Sequence, residues 1–115
     1  RAYEPIDDAD KVSCRPDFAV PIYPAYLEKN GAFDSEGLPV TKETPPTFIA
    51  IACNDRFTPG AVLYFTALRK AKVRAELHVF TIGGHGCGLR PVDEGMATWP
   101  KPCEAWLHAI GVVGK

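Results

Sequence analysis

The chain has 115 residues, 46% of them hydrophobic, and its 13 basic and 14 acidic side chains give a formal net charge of -1. That length and apolar content suit one domain over residues 1–115 with a modest core, and the interspersed charges leave no basic footprint for nucleic acid or anionic lipid, so neither is expected as a partner. No apolar run approaches the roughly 20 residues that span a bilayer, and because the sequence opens on Arg1 and has Met96 as its sole methionine, it is expected to be part of a longer or processed polypeptide whose location stays open.

Residues 1–16 are charged and turn-rich, with at most a short helical turn around "DDADKV". "DFAVPIYP", Asp17 to Pro24, is a short apolar run that predicts a buried strand, although Pro21 cannot donate to a ladder and is expected to mark an edge or bulge. The stretch from Ala25 to Pro46 holds Gly31, Gly37, Pro39, Pro45 and Pro46 among mixed charges. It reads as a long loop, whose part from Glu28 to Thr44 either lies near a cleft or is plain solvated surface. "TFIAIAC", Thr47 to Cys53, is apolar without alternation, as a strand buried on both faces of a parallel sheet is. Thr58 is then a candidate N-cap with Pro59 in the first helical turn. Ala61, Tyr64, Phe65, Leu68 and Ala71 follow at helical spacing, and Arg69, Lys70 and Lys72 form a solvated basic end. "AELHVFTI", Ala75 to Ile82, predicts a third strand. From Trp99, the spacing of Cys103, Trp106, Leu107 and Ile110 predicts a last helix closed by Gly111.

Strands alternating with helices argue for an α/β fold: a short parallel sheet of about three strands flanked by helices in three layers. Functional groups in such sheets collect at the carboxyl ends of the strands. Asp55 follows the second strand and His85, in "GGHGCG", follows the third. Neighbouring parallel strands are about 4.8 Å apart, so the two side chains can meet. A carboxylate then fixes the imidazole tautomer while the other ring nitrogen takes a proton from a nucleophile. Asn54 is a rival orienter but cannot supply the negative charge. His78, inside a strand, and His108, on the last helix, are expected to be packed or surface residues.

Cys14, Cys53, Cys87 and Cys103 show no C-x-x-C pair, and His85 with Cys87 lacks the further ligands of a closed zinc site, so no metal is expected. Cys53 and Cys103 are expected to be buried core thiols. Cys87 is expected to pack near the histidine turn.

Three pieces in order, "RPDFAVPIYPAYL", then "TPPTFIAIACNDRFTP" with "LYFTALRKAKVRAELHVF", then "GGHGCGLRP" with "WPKPCEAWLHAIG", resemble the carboxyl-terminal half of the α/β-hydrolase fold over roughly residues 15–112. The resemblance is to the esterase and lipase-like branch, which includes acetylxylan esterases and relatives of dienelactone hydrolase. It implies a carboxylic ester hydrolase acting on small-molecule or carbohydrate esters, with Asp55 and His85 as the acid and histidine of a Ser-Asp-His triad and no cofactor. The nucleophile-bearing half, with its G-x-S-x-G elbow, is not in this sequence. Ser13 in "KVSCR" and Ser35 in "FDSEG" lack the small flanking residues of an elbow, and "GHGCG" does not frame Cys87 as one. The chain alone is therefore expected to be inactive.

Three readings follow from the residues. The first is the carboxyl-terminal part of a serine ester hydrolase, the second a free-standing non-catalytic remnant that binds ligands or itself, and the third an enzyme pairing Cys87 with His85. The strand Asp17–Pro24, without the neighbour it has in the family, is expected to present an open edge that Pro21 blunts only partly, and to drive self-association as a two-fold dimer.

Overall fold

A computed structural model describes residues 3–90 and 94–114. At its centre lie two parallel strands, β3 (Thr47–Ala52) and β4 (Ala75–Phe80), joined by helix α1 (Thr58–Lys70). They pair in register from Thr47 opposite Ala75 to Ala52 opposite Phe80. Every residue of β3 is buried, which is why its sequence shows no alternation. Phe48, Ala50 and Ala52 face a cluster with Cys87, Met96, Cys103 and Trp106. Ile49 and Ile51 face another with Ala61, Tyr64, Leu68 and Val73. Helix α2 (Pro100–Ala109) therefore covers one face of the sheet and α1 the other, giving the three-layer α/β arrangement that the alternation of strands and helices predicts.

The segment expected to be the first strand runs parallel to β3 but is broken. Ala19 N–H donates to Pro46 O at 2.9 Å and Tyr23 N–H to Ala50 O at 2.7 Å, while Phe48 and Ala50 N–H return bonds to Ala19 O and Pro21 O. Residue 21 should donate to Phe48 O in this pattern, and proline has no hydrogen to give. The result is two isolated bridges, Ala19 with Thr47 and Ile22 with Ala50. Pro21 thus faces β3. It interrupts the inner ladder and does not blunt the outer edge, contrary to the sequence expectation. Phe18, Val20 and Ile22 carry the outward backbone groups, and these make no hydrogen bond among the described residues.

Other expectations are also corrected. The region 25–46 is not a plain loop: Glu28–Lys29 (β1) and Ala32–Phe33 (β2) form an antiparallel hairpin. Its turn, Asn30 and Gly31, has φ of +54° and +77°, the two-residue primed turn that Asn-Gly favours. Phe33 stacks on Tyr64 at 5.5 Å and seats the hairpin on α1. Thr58 does not cap α1. Its hydroxyl donates to Ala52 O at 2.6 Å and Asp55 O at 2.8 Å, and Phe57 holds the cap position without a side-chain bond. The third strand stops at Phe80, because Ile82 turns its carbonyl to Met96 N–H at 2.9 Å. Cys53, expected in the core, is exposed one residue beyond β3, whereas Cys103 is buried as expected, and Cys87 is buried too. Residues 9–11 form the short helical turn in the lead-in. Among the described residues no helix is long and apolar enough to cross a membrane.

Candidate active site

Asp55 and His85 arrive at one sheet end because β3 and β4 are adjacent, parallel and in register to their last residues. The chain leaves β3 through a tight turn in which Asp55 N–H donates to Ala52 O at 3.0 Å and Thr58 N–H to Asp55 O at 3.2 Å. That turn tucks the Asp55 side chain fully out of solvent while the His85 ring stays about half exposed, and the two meet with His85 Nδ1 2.8 Å from Asp55 Oδ2. The other carboxylate oxygen accepts Phe57 N–H at 2.9 Å. An ionised carboxylate only accepts hydrogen bonds, so it directs the imidazole proton to Nδ1 and leaves Nε2 with a free lone pair. No described residue bonds Nε2.

The loop carrying the histidine is fastened at several points. Gly83 has φ of +146°, and a Cβ there would lie 2.4 Å from Met96 Cβ, so only glycine permits this close approach. Gly84, at φ +60°, donates its N–H to Asn54 Oδ1 at 3.0 Å. Asn54, a rival orienter in the sequence, therefore braces the glycine turn and leaves the imidazole to Asp55. Trp99 Nε1 donates to Gly88 O at 3.0 Å and Arg90 Nη1 to Gly86 O at 2.9 Å. Cys87 anchors the loop in the core with Met96, Cys103 and Trp106. Its thiol thus serves packing, which removes the observation that a Cys87–His85 pair would need.

Two aromatic rings hold the imidazole edge-on: Tyr23 at 4.9 Å and Phe57 at 5.3 Å between centroids. The sequence reading missed both. The rule that placed Asp55 and His85 at strand ends applies equally to Tyr23, at the end of the first strand segment, and Phe57 stands two residues after the acid. The remaining histidines lie elsewhere. His78 bonds Glu76 Oε1 through Nε2 at 2.6 Å and stacks on Phe48, and His108 is exposed on α2. Ser13 and Ser35 are both exposed loop residues. A buried acid thus holds a half-exposed imidazole with Nε2 open, an arrangement that can take a proton from a hydroxyl brought to that nitrogen.

No family model matches the sequence, and no curated protein matches it either. Solved structures do. An acetyl ester-xyloside bifunctional hydrolase from Caldicellulosiruptor lactoaceticus superposes with a TM-score of 0.79 at 33% identity, over 96% of this chain and 48% of that one. A carboxylesterase from Lactobacillus plantarum WCFS1 gives 0.66 at 20% identity, over 86% and 46%. An alpha/beta hydrolase enzyme from a Medee basin deep-sea metagenome library gives 0.65 at 24% identity, over 84% and 45%. The chain spans about half the length of each enzyme. The resemblance to the carboxyl-terminal half of the α/β-hydrolase fold in its esterase branch is borne out.

Proposed function

Taking the chain as about half of an α/β-hydrolase of the esterase branch, we propose that it supplies the acid and the histidine of a Ser-Asp-His triad in a carboxylic ester hydrolase, with Asp55 as orienter and His85 as general base. The observation that carries this reading is the 2.8 Å contact between His85 Nδ1 and the fully buried Asp55 carboxylate, with Nε2 left open. In the reaction, Nε2 takes the proton of a serine hydroxyl as that oxygen bonds to the ester carbonyl carbon. The imidazolium then returns the proton to the departing alkoxide. Asp55 stabilises the positive ring without becoming protonated. The serine and the oxyanion donors come from sequence outside these 115 residues, because no serine here sits on an elbow. The substrates are small-molecule or carbohydrate esters, the class to which the named activities of the matched hydrolases point.

The test is turnover of short acyl esters. The purified chain gives none above background, the chain joined to a nucleophile-bearing segment does, and His85→Ala in that joined enzyme abolishes it. Turnover by the 115-residue chain alone, lost on Cys87→Ser, overturns the serine reading in favour of the thiol.

A second reading, a non-catalytic domain that associates with its own copy, is favoured by the open backbone edge at Phe18, Val20 and Ile22. Those three side chains are also only partly buried against the α2 side of the core, so edge and apolar surface coincide. Two-fold pairing of this strand with its copy satisfies both. Sedimentation showing a strict monomer at high concentration overturns it.

A further inference from the structure

We infer that Tyr23 is a positioning residue for His85: with Phe57 it forms a two-ring clamp that keeps the imidazole in the one orientation in which Nδ1 meets Asp55 and Nε2 stays open. Its contribution to a reaction rests on the hydrolase reading above, whereas the clamp acts in the isolated chain. The imidazole needs such support. Its loop is thinly packed around the histidine, since a Cβ added at Gly84 or Gly86 would meet nothing within 4 Å, and the His85 side chain is 46% exposed. The bond to Asp55 Oδ2 at 2.8 Å fixes one ring atom. It sets neither the tilt of the ring nor the direction of the Nε2 lone pair, and a general base must hold that lone pair within hydrogen-bond reach of the proton it takes.

Two rings supply the missing constraints. Tyr23 lies 4.9 Å from the imidazole at an interplanar angle of 62°, and Phe57 lies 5.3 Å away, also at 62°, both within the separations of edge-to-face pairs. They reach the histidine from separate segments, Tyr23 from the first strand segment and Phe57 from the turn after β3. Phe57 is tied into a closed circuit: its N–H donates to Asp55 Oδ1 at 2.9 Å, while Oδ2 of the same carboxylate holds the imidazole that the Phe57 ring touches. Tyr26, edge-on at 5.0 Å, braces the Phe57 ring from beyond.

The backbone singles out Tyr23. Its φ is +43°, a region where a bulky residue is rare and strained, and Pro24 after it steers its neighbour towards extended backbone instead. Such a conformation persists only where the surroundings hold it. Here Tyr23 N–H donates to Ala50 O at 2.7 Å, which pins the main chain to β3, and the side chain packs against the core clusters on both faces of the sheet. Glycine or asparagine would take this backbone more easily. Neither has an aromatic ring to set against His85.

The test reads the His85 imidazole of the folded 115-residue chain by NMR at a pH where it is neutral, using nitrogen-15 shifts for the tautomer and water exchange of the Nδ1 proton for the lifetime of the Asp55 bond. Tyr23→Phe, which keeps the ring, should match the parent. Tyr23→Leu, which keeps apolar bulk without the ring, should mix the tautomers and speed Nδ1–H exchange about tenfold. Tyr23→Asn, which suits the positive φ and has no ring, should do the same. Ile49→Val weakens the core on the α1 side away from the histidine and should leave both readings unchanged, so lost stability is not mistaken for lost positioning. In the chain joined to a nucleophile-bearing segment, Tyr23→Leu should lower kcat about tenfold with KM unchanged, because a displaced base loses rate and not binding. Parent-like tautomer and exchange in Tyr23→Leu or Tyr23→Asn overturns the clamp, as does an equal disturbance by Tyr23→Phe or Ile49→Val. An imidazole loosened by Tyr23→Leu in a chain that never supports His85-dependent hydrolysis when joined leaves the clamp standing and sinks the hydrolase reading, so the two failures are separable.

Discussion

Replacing Asp55 separates the structural from the chemical work of its carboxylate. Each oxygen has one partner: Oδ1 accepts Phe57 N–H at 2.9 Å and Oδ2 the His85 ring at 2.8 Å, in a side chain with no solvent contact. Asp55→Ala removes both acceptors. The Phe57 amide, just ahead of α1, is left without its partner, at a cost of about 1–3 kcal/mol. The half-exposed imidazole recovers a bond from water and adds little. Asp55→Asn keeps an oxygen for Phe57 and the same shape, and loses only a negative charge near the amino end of α1, about 0.3–1 kcal/mol. Its amide nitrogen then faces His85 Nδ1 and can only donate, so Nδ1 must accept and the ring proton moves to Nε2. A ring protonated at Nε2 cannot take the nucleophile's proton, which in serine hydrolases of this logic costs on the order of 10⁴ in rate. Nitrogen-15 NMR of the imidazole in the isolated chain, at a pH where it is neutral, reads the tautomer directly, and urea unfolding reads the stability. The expected outcome is a proton on Nδ1 in the parent and on Nε2 in Asp55→Asn, with Asp55→Ala clearly the less stable variant. The same tautomer in both proteins would refute the orienting role, and an Asp55→Ala chain as stable as the parent would refute the accounting of its bonds.

Gly83→Ala should destabilise the chain by roughly 3 kcal/mol, since its Cβ would collide with Met96 Cβ at 2.4 Å from a backbone of φ +146°; an unchanged urea midpoint would show that the turn relaxes freely. Among the thiols, exposed Cys14 and Cys53 should react quickly with an aromatic disulfide and buried Cys87 and Cys103 far more slowly in the folded chain. Cys103 should be the slowest as pH is raised, because burial first and the nearby Glu76 charge second push its thiol pKa up, holding it protonated. Pro21→Val should give position 21 an amide aimed at Phe48 O, slow to exchange with deuterium, and should gain about 0.5–1.5 kcal/mol from that bond, less about 0.4–1 kcal/mol for the looser unfolded chain. Rapid exchange there would contradict the placement of Pro21 toward β3.

Local chemistry made some of this molecule readable in advance. "TFIAIAC" has an apolar residue at nearly every position because both faces of β3 are covered, and the spacing of Ala61, Tyr64 and Leu68, or of Cys103 and Trp106, is the spacing of helix faces that bury. Asn30-Gly31 was equally readable as a hairpin turn, since the pair tolerates the positive φ the turn requires; the prolines and charges around it obscured the signal. Asp55 and His85 were legible as candidates because parallel strands in register bring consecutive loop starts together. What the sequence could not decide was everything set by which way a group points. Pro21 faces inward because the parity of residues 19, 21 and 23 is fixed by pairing with β3, a partner 28 residues away. Thr58 turns its hydroxyl back to Ala52 and Asp55, Asn54 reaches across 30 residues to Gly84, and Tyr23 and Phe57 close on His85 from separate segments. Periodicity records the average environment along one stretch of chain. Which oxygen meets which nitrogen depends on the registry of several stretches at once, and only the folded packing supplies it.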